Sequence, residues 1–539
     1  MTHDRFRTLE DDTYDVIVVG AGTGGLTAAA LLARHGKKVL VLDRHAVAGG
    51  NATIFKRSGY EFDIGLHYIG GCHPNGMIPR ILRAAGAADV EFEEMDPDGY
   101  DTLVYPDFDF RVPKGIERFR DRLVERFPRE KRGIERYVKL LRQIQKVQRT
   151  MTRPSSALWV LPRSLLLSRW ANSTFKEFLD SCTDDPRLQA VLAGQHGDYA
   201  LPPSRASVLV GAGLALHYLE GAYFPKGGGQ IISDRLAESV EHHGGKILLM
   251  ATVERIVVEE GKVQGVEFDC QQTGRRTVRA PVVISNADLK RTLLELVGAE
   301  HLEPKTVRRT EAFEMAPALG MVYLGIDRDL RAEGFPRTNY WVYSSHDYED
   351  QYAATAAGEF PSEPFVYISI ASLKDPTNPR LAPAGHTNLQ VMSLAPSEPE
   401  SWGVSENELK DGSYRKKASY LEAKAAYSER LINSAERVFP GLRDRIVFQE
   451  LATPLTHRRY TLSTAGTSYG IAATPQQFLR RRPGIRTEIE GLLLCGASTR
   501  MGHGIGGVTL SGLFAAANLL GRDLVPRVLG PTNRISDAA

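Results

Sequence analysis

The chain has 539 residues, 42% apolar and 24% charged, with 67 Lys and Arg against 65 Asp and Glu for a formal net charge of +2. This composition is that of a globular protein and excludes collagen-like, coiled-coil and disordered chains, while the length exceeds one ordinary core and suits interleaved domains. Cys72, Cys182, Cys270 and Cys495 lie far apart with no Cys-x-x-Cys pair, which argues against a disulfide framework or metal site and fits a reducing compartment.

The polar start MTHDRFRTLEDD has no apolar signal core, so a cytoplasmic location is expected. Residues 15–43, DVIVVGAGTGGLTAAALLARHGKKVLVLD, then read as strand, glycine turn, helix and strand. Residues 16–19 are an apolar, β-branched run of the kind buried on both faces of a parallel sheet. Gly20, Gly22 and Gly25 follow at G-x-G-x-x-G spacing. Gly20 permits a tight turn, Gly22 lets a pyrophosphate approach bare backbone, and Gly25 lets the next helix pack on the strand. Residues 26–35 form that helix and stop at Gly36, so its free N–H groups and positive dipole end face an anion. The second strand, residues 39–42, ends in Asp43, where such a fold places the acceptor for a ribose hydroxyl pair. An acid there selects an unphosphorylated ribose, hence FAD or NAD over NADP.

Arg44 and Gly49-Gly50 follow the acid, and then come Tyr60-Glu61-Phe62-Asp63 and Gly65-Leu66-His67-Tyr68-Ile69-Gly70-Gly71. On these residues the chain resembles the amine-oxidase-like FAD superfamily and, within it, the family of phytoene desaturases, carotenoid isomerases and retinol saturases. The resemblance implies FAD as cofactor, with Arg44, Gly49, Gly50, Asn51, Gly65 and His67 among the residues around it. The double glycine usually continues with Arg in the desaturases. Asn51 in its place, with the His67-Tyr68 pair, is closer to the retinol saturase branch.

Between residues 111 and 170 the chain carries 17 Lys and Arg against 5 Asp and Glu. Ile134, Val138, Leu141 and Ile144 recur near helical spacing among Arg136, Lys139, Arg142 and Lys146, and SALWVLPRSLLLSRW places Trp159, Leu165, Leu166, Leu167 and Trp170 beside Arg163 and Arg169. This is the pattern of a membrane-interfacial segment, or else of a helical lobe whose apolar faces are core and whose charges are solvated. Nucleic acid is not expected as a partner, because the aromatics do not interleave as a stacking platform. No stretch reaches the roughly 18 uncharged apolar residues that span a bilayer; residues 207–219 come closest and Glu220 ends them.

Residues 231–243 read as a helix, 247–250 as a strand, and 253–258 with 265–268 as a hairpin. The segment resembles the family's second FAD-domain stretch and implies a cofactor contact at Val253. Val282 to Asp288, VVISNAD, resembles the strand and turn that return the chain to the dinucleotide domain. Residues 321–326, 340–343, 365–370 and 387–392 are strand candidates and 414–438 a long helix, expected to form a sheet and lid over the substrate. The closing stretch GLLLCGASTRMGHGIGGVTLSGLFAAANLL matches the family's C-terminal flavin motif and implies contacts at Gly496, Ala497, Gly506, Gly507 and Val508. Gly502, Gly504 and Gly507 repeat the dinucleotide spacing, but no strand separates the helix 508–520 from Asp523, so a second dinucleotide site is not expected.

The expected fold is α/β: a Rossmann-type FAD-binding domain built from residues 1–75, 223–300 and 485–539. It is interleaved with a basic, membrane-associating helical lobe at 76–222 and an α+β substrate domain at 301–484. The resemblance implies an FAD-dependent oxidoreductase acting on carbon–carbon double bonds of a hydrophobic polyene or isoprenoid lipid, by saturation, desaturation or isomerisation. His67-Tyr68 favours saturation. His67 is the candidate proton donor or flavin-positioning residue, with an ordinary pKa near 6.5, and Tyr68 the weaker candidate donor. The expected location is cytoplasmic, peripheral at the membrane. A prenyl-lipid carrier without catalysis and an amine or amino-acid oxidase are the rival readings. The sequence carries no signal of metal binding or of oligomeric state.

Overall fold

In a computed structural model of the protein, the structure describes Leu9, residues 11–151 and residues 169–530. The stretch holding Trp159, Arg163 and Leu165 to Leu167 lies outside these residues. At the centre is a parallel sheet of five strands in the order Lys246–Leu248, Val39–Leu42, Val16–Val19, Val283–Ser285, Leu492–Leu494. Three distant parts of the chain therefore build one sheet.

Side-chain alternation explains why its strands are apolar on both faces. Val16, Val18, Val39 and Val41 point to a layer of helices that includes Thr23–Arg34, Gln230–His242 and Gly504–Leu520. Ile17, Val19, Leu40 and Leu42 point instead to an antiparallel sheet of Ala251–Glu259, Lys262–Cys270 and Gly274–Arg279. Each such side chain stabilises the stack by about 1.5–3 kcal/mol on burial, before chain entropy is subtracted.

Two helices start earlier than their sequence suggests. The first begins at Thr23 rather than 26 and ends at Arg34, and the helix of the closing glycine motif begins at Gly504 rather than 508. In both cases glycines, poor helix formers, occupy the first turn. Close approach requires them: a Cβ on Gly25 would lie 2.3 Å from the Gly20 carbonyl oxygen, and one on Gly507 2.5 Å from that of Gly502.

The second large sheet has seven strands, in the order Ile446–Ala452, Leu319–Ile326, Thr387–Leu394, Val366–Ser369, Asn339–Val342, Asp101–Val104, Asp109–Val112. Its last two strands form a hairpin within residues 76–222, a segment expected to be helical. The strands are only four residues long, and Asp101–Val104 owes its place to parallel pairing with Asn339–Val342, a partner over 200 residues away. The expected helix 414–438 is shorter, Ala418–Ala435, preceded by a 3-10 turn at Ser413–Lys416.

The helical lobe holds Ile116–Arg126, Lys131–Met151, Phe175–Cys182, Pro186–Ala193 and Val208–Leu219. Ile134, Tyr137, Val138 and Leu141 are fully buried and Ile144 is 6% exposed, so the apolar stripe of the basic helix is core. No helix among the described residues is long and apolar enough to cross a membrane.

Candidate active site

The strand Val16–Val19 delivers a glycine loop whose geometry is set by one asparagine from the neighbouring strand. Asn286 donates through Nδ2 to the Gly20 carbonyl at 3.3 Å and accepts at Oδ1 from the Cys495 thiol at 3.4 Å. Gly22, Gly24 and Gly496 crowd this side chain: a Cβ on each would come within 2.7–2.8 Å of its amide group. Gly49 donates to the Ala21 carbonyl at 2.7 Å, and a Cβ on Gly50 would lie 3.2 Å from the Gly22 Cα. The two predicted glycine groups thus meet backbone to backbone, with the C-terminal motif against them. Gly496 donates to Ser511 Oγ, which in turn donates to the Val508 carbonyl, and the Ala497 carbonyl accepts from Arg482.

These residues fit a dinucleotide. Neither Thr23–Arg34 nor Gly504–Leu520 has a side-chain cap or an acid in its first turn, so the first N–H groups and the positive dipole end of each are left for an anion. Glycine backbone rather than side chain lines the approach to both.

Asp43 stands at the end of its strand and accepts from the Ala21 and His45 backbone amides, both at 2.7 Å. Burial raises its pKa, and those two hydrogen bonds oppose the rise. Ala251 donates to the Asp43 carbonyl, which brings the start of the strand carrying Val253 to the same edge. Val253 itself is buried in the core beneath. Arg44 and Asn51 are turned toward a neighbour that sequence reasoning missed, the helix Pro454–Thr461. Arg44 donates to the carbonyls of Arg459 and Tyr460, and Asn51 Oδ1 lies 2.9 Å from His457 Nε2. Gly65 packs against Asn51, where a Cβ would meet its carbonyl oxygen at 3.0 Å.

Beside the cradle lies a cavity of about 1490 Å³. Residues 65–71, Gly506, Gly507, Leu214, Leu319, Met392 and Phe478 line it, together with Trp341, Tyr367, Tyr469 and His503. His67 and Tyr68 both reach this space, by different environments. Burial, with the Lys374 charge, pushes His67 down to about 3, and neither ring nitrogen has a hydrogen-bond partner. A histidine titrating near neutrality would carry an imidazolium proton there, whereas His67 is a neutral imidazole across the physiological range. Lys374, itself pushed down to about 7 by burial, donates to the His67 carbonyl at 2.7 Å and to Ser369 Oγ at 2.8 Å.

Tyr68 stacks face to face on Tyr218, with centroids 4.0 Å apart, and its hydroxyl oxygen lies 2.6 Å from Asp198 Oδ2 and 3.2 Å from Asp101 Oδ2. The two rings leave no gap between them for a cationic group. Burial raises the Tyr68 pKa well above its ordinary value, and the two carboxyls add to the rise. Asp101 and Asp198 carry no sequence motif. The fold alone brings them together, from the hairpin strand and from the 3-10 turn His196–Asp198.

Fold, glycine cradle and adjoining apolar cavity together define a dinucleotide-dependent flavoprotein. The sequence profile of the flavin-containing amine oxidoreductases matches residues 23–520, and the chain belongs to that family. It is an FAD-dependent oxidoreductase with an α/β fold. An all-trans-retinol 13,14-reductase of Danio rerio is 28% identical over 95% of this chain and 87% of its own length. Prolycopene isomerase 1, chloroplastic, of an Oncidium hybrid cultivar is 27% identical over 94% and 84% respectively. A putrescine oxidase variant structure superposes with a TM-score of 0.61 at 16% identity, over 95% of this chain and 99% of that one, which establishes likeness of fold.

Proposed function

We propose that the protein saturates a carbon–carbon double bond of a polyene isoprenoid lipid of the retinoid or carotenoid type. The observation that carries this is the cavity, large, mostly apolar and aromatic, and continuous with the His67 loop and the start of the helix Gly504–Leu520. Its walls suit a long conjugated hydrocarbon, which needs apolar contact along its length and few polar anchors. The all-trans-retinol 13,14-reductase and prolycopene isomerase names among the relatives support the same substrate class. When bound, FAD supplies hydride transfer. Gly20, Gly22, Gly25, Gly49, Gly50 and the Gly496 and Gly506 to Val508 stretch would hold it, with Asp43 placed to accept from its ribose and Val253 packed beneath that edge. His67, a neutral imidazole rather than an imidazolium, packs the loop beside it.

The test is direct. Anaerobically reduced holoprotein mixed with a polyene is expected to reoxidise and yield a product heavier by two hydrogens. An unchanged mass with a shifted double-bond geometry would make it an isomerase, and a polyene bound but unaltered would make it a carrier.

The same proposal includes work at a membrane surface, on the cytoplasmic side. Lys131, Arg132, Arg136, Lys139, Arg142 and Lys146 occupy the exposed side of Lys131–Met151. Because the opposite side of that helix is core, its attraction to lipid is electrostatic. Four basic residues at about 1 kcal/mol each would change partitioning roughly a thousandfold. Co-sedimentation with acidic vesicles is expected to fall with salt and on reversal of Arg136, Lys139, Arg142 and Lys146 to Glu. Equal pelleting with neutral vesicles would refute the contact.

A further inference from the structure

The contacts of the Tyr68 hydroxyl do not balance if both neighbouring carboxyls are ionised. Its oxygen is within hydrogen-bond distance of Asp198 Oδ2 at 2.6 Å and of Asp101 Oδ2 at 3.2 Å, yet a phenol has one proton to donate. Both contacts are hydrogen bonds only if one carboxyl is protonated and donates to the phenol oxygen.

The partners decide which one. Asp101 Oδ1 accepts from Asn339 Nδ2 at 2.8 Å, and Asp101 Oδ2 accepts from Gln195 Nε2 at 2.7 Å. Two amide donors hold it as a carboxylate, in a fully buried position. Asp198 has no amide donor on its carboxyl among the described residues; it faces the Tyr68 and Tyr218 hydroxyls and borders the cavity. We infer that Asp198 holds a proton at neutral pH and is the acid that protonates the substrate carbon, with Tyr68 and Asp101 orienting it from behind.

Burial and then the Asp101 charge push Asp198 up to about 8, while the hydrogen bonds from Tyr68 and Tyr218 and the Lys374 charge oppose the rise. Asp101, with its extra donors, is pushed up to about 6 only. Pairs of acids driven apart in this way are suited to divide acid and base roles. Of the four histidines that line the cavity, the three on its buried walls do not compete, while His73 is exposed. His67 lies near 3 and His217 and His503 near 4, so all three are neutral.

The step rests on the proposed polyene saturation. One carbon of the double bond receives hydride from the reduced flavin, the other forms a C–H bond with the Asp198 proton, and the π pair is consumed. Asp198 is left as carboxylate and recovers its proton from solvent. The two electrons come from whatever two-electron donor re-reduces the flavin.

The first test needs neither flavin nor substrate. Infrared difference spectra of the protein, wild type minus Asp198→Asn at neutral pH, should show the C=O stretch of a protonated carboxylic acid in wild type that the variant lacks. The second follows single-turnover reoxidation by a polyene. Asp198→Asn should keep its flavin and bind the polyene, yet lose roughly 100-fold or more in rate. The wild-type rate should fall as pH rises through about 8, and the variant's should be flat. Absence of the infrared band, or a variant within a few-fold of wild type, would overturn the assignment while wild-type turnover left the substrate reading standing. No reaction of any polyene with wild type, with the infrared band present, would overturn the substrate reading and the donor role together.

Discussion

Gly22→Val is expected to fold and to purify without FAD, its affinity reduced at least about 100-fold, or some 2.7 kcal/mol. The backbone tolerates valine, since Gly22 sits at φ −69° and ψ 165°. The space does not. A Cβ there lies 2.7 Å from Asn286 Nδ2, and Gly50 already approaches so closely that its own Cβ would stand 3.2 Å from the Gly22 Cα. The asparagine is a side-chain end and can swing aside, at the cost of its bond to the Gly20 carbonyl. The valine branches then still fill the place of the pyrophosphate. Flavin content by absorbance reads the result, and Gly22→Val with Asn286→Ala separates the causes. If the double variant regained its flavin, crowding of Asn286 rather than exclusion of phosphate would be the reason.

Arg482→Met is expected to destabilise the protein by about 3 kcal/mol or more, the cost of leaving several buried carbonyls without their donor. Arg482 is 1% exposed. Its guanidinium donates to the carbonyls of Gln477, Ala497, Thr499 and Ile471. Burial lowers its pKa only to about 10, so it stays charged at neutral pH. It therefore pins the turn after Leu492–Leu494 to the segment crossing from the substrate side. Arg482→Lys, with fewer and differently placed donors, should fall between the two. A urea midpoint for Arg482→Met that matched wild type, at unchanged slope, would show that water or relaxation replaces these bonds.

The cofactor half of the site is legible in the sequence because its chemistry needs bare backbone at fixed intervals, and glycine records that need one residue at a time. Gly20, Gly22 and Gly25 can be interpreted within one turn of chain; Asp43 follows from the length of one βαβ unit. The reacting half is not legible. Asp101 and Asp198 are two of many acids until a parallel strand pair and a short turn bring them to one tyrosine. Asn286 is similar: VVISNAD reads as a strand and turn, and nothing local says that the asparagine side chain braces two glycine loops. His67 shows the opposite limit. Its position beside the flavin follows from resemblance, but its charge state depends on burial, which sequence does not carry. The hairpin Asp101–Val112 escapes for the same reason as its acid, since four-residue strands take their stability from a partner.

The order of the central sheet also has a consequence in time. Val16–Val19 emerges first, yet the strand that completes its sheet, Leu492–Leu494, is among the last parts made. At about 5–20 residues per second the glycine loop waits on the order of 20 to 100 s for the backbone that closes over it. Val39–Leu42 and Val16–Val19 present open parallel edges until Lys246–Leu248 and Val283–Ser285 are made to cover them, and Val283–Ser285 then stays open until Leu492–Leu494 pairs with it, the kind of surface that chaperones shield and that aggregates when they do not. Cofactor capture is thereby tied to chain completion, and a nascent polypeptide stalled before residue 492 would hold the phosphate loop but lack the half that keeps FAD in place.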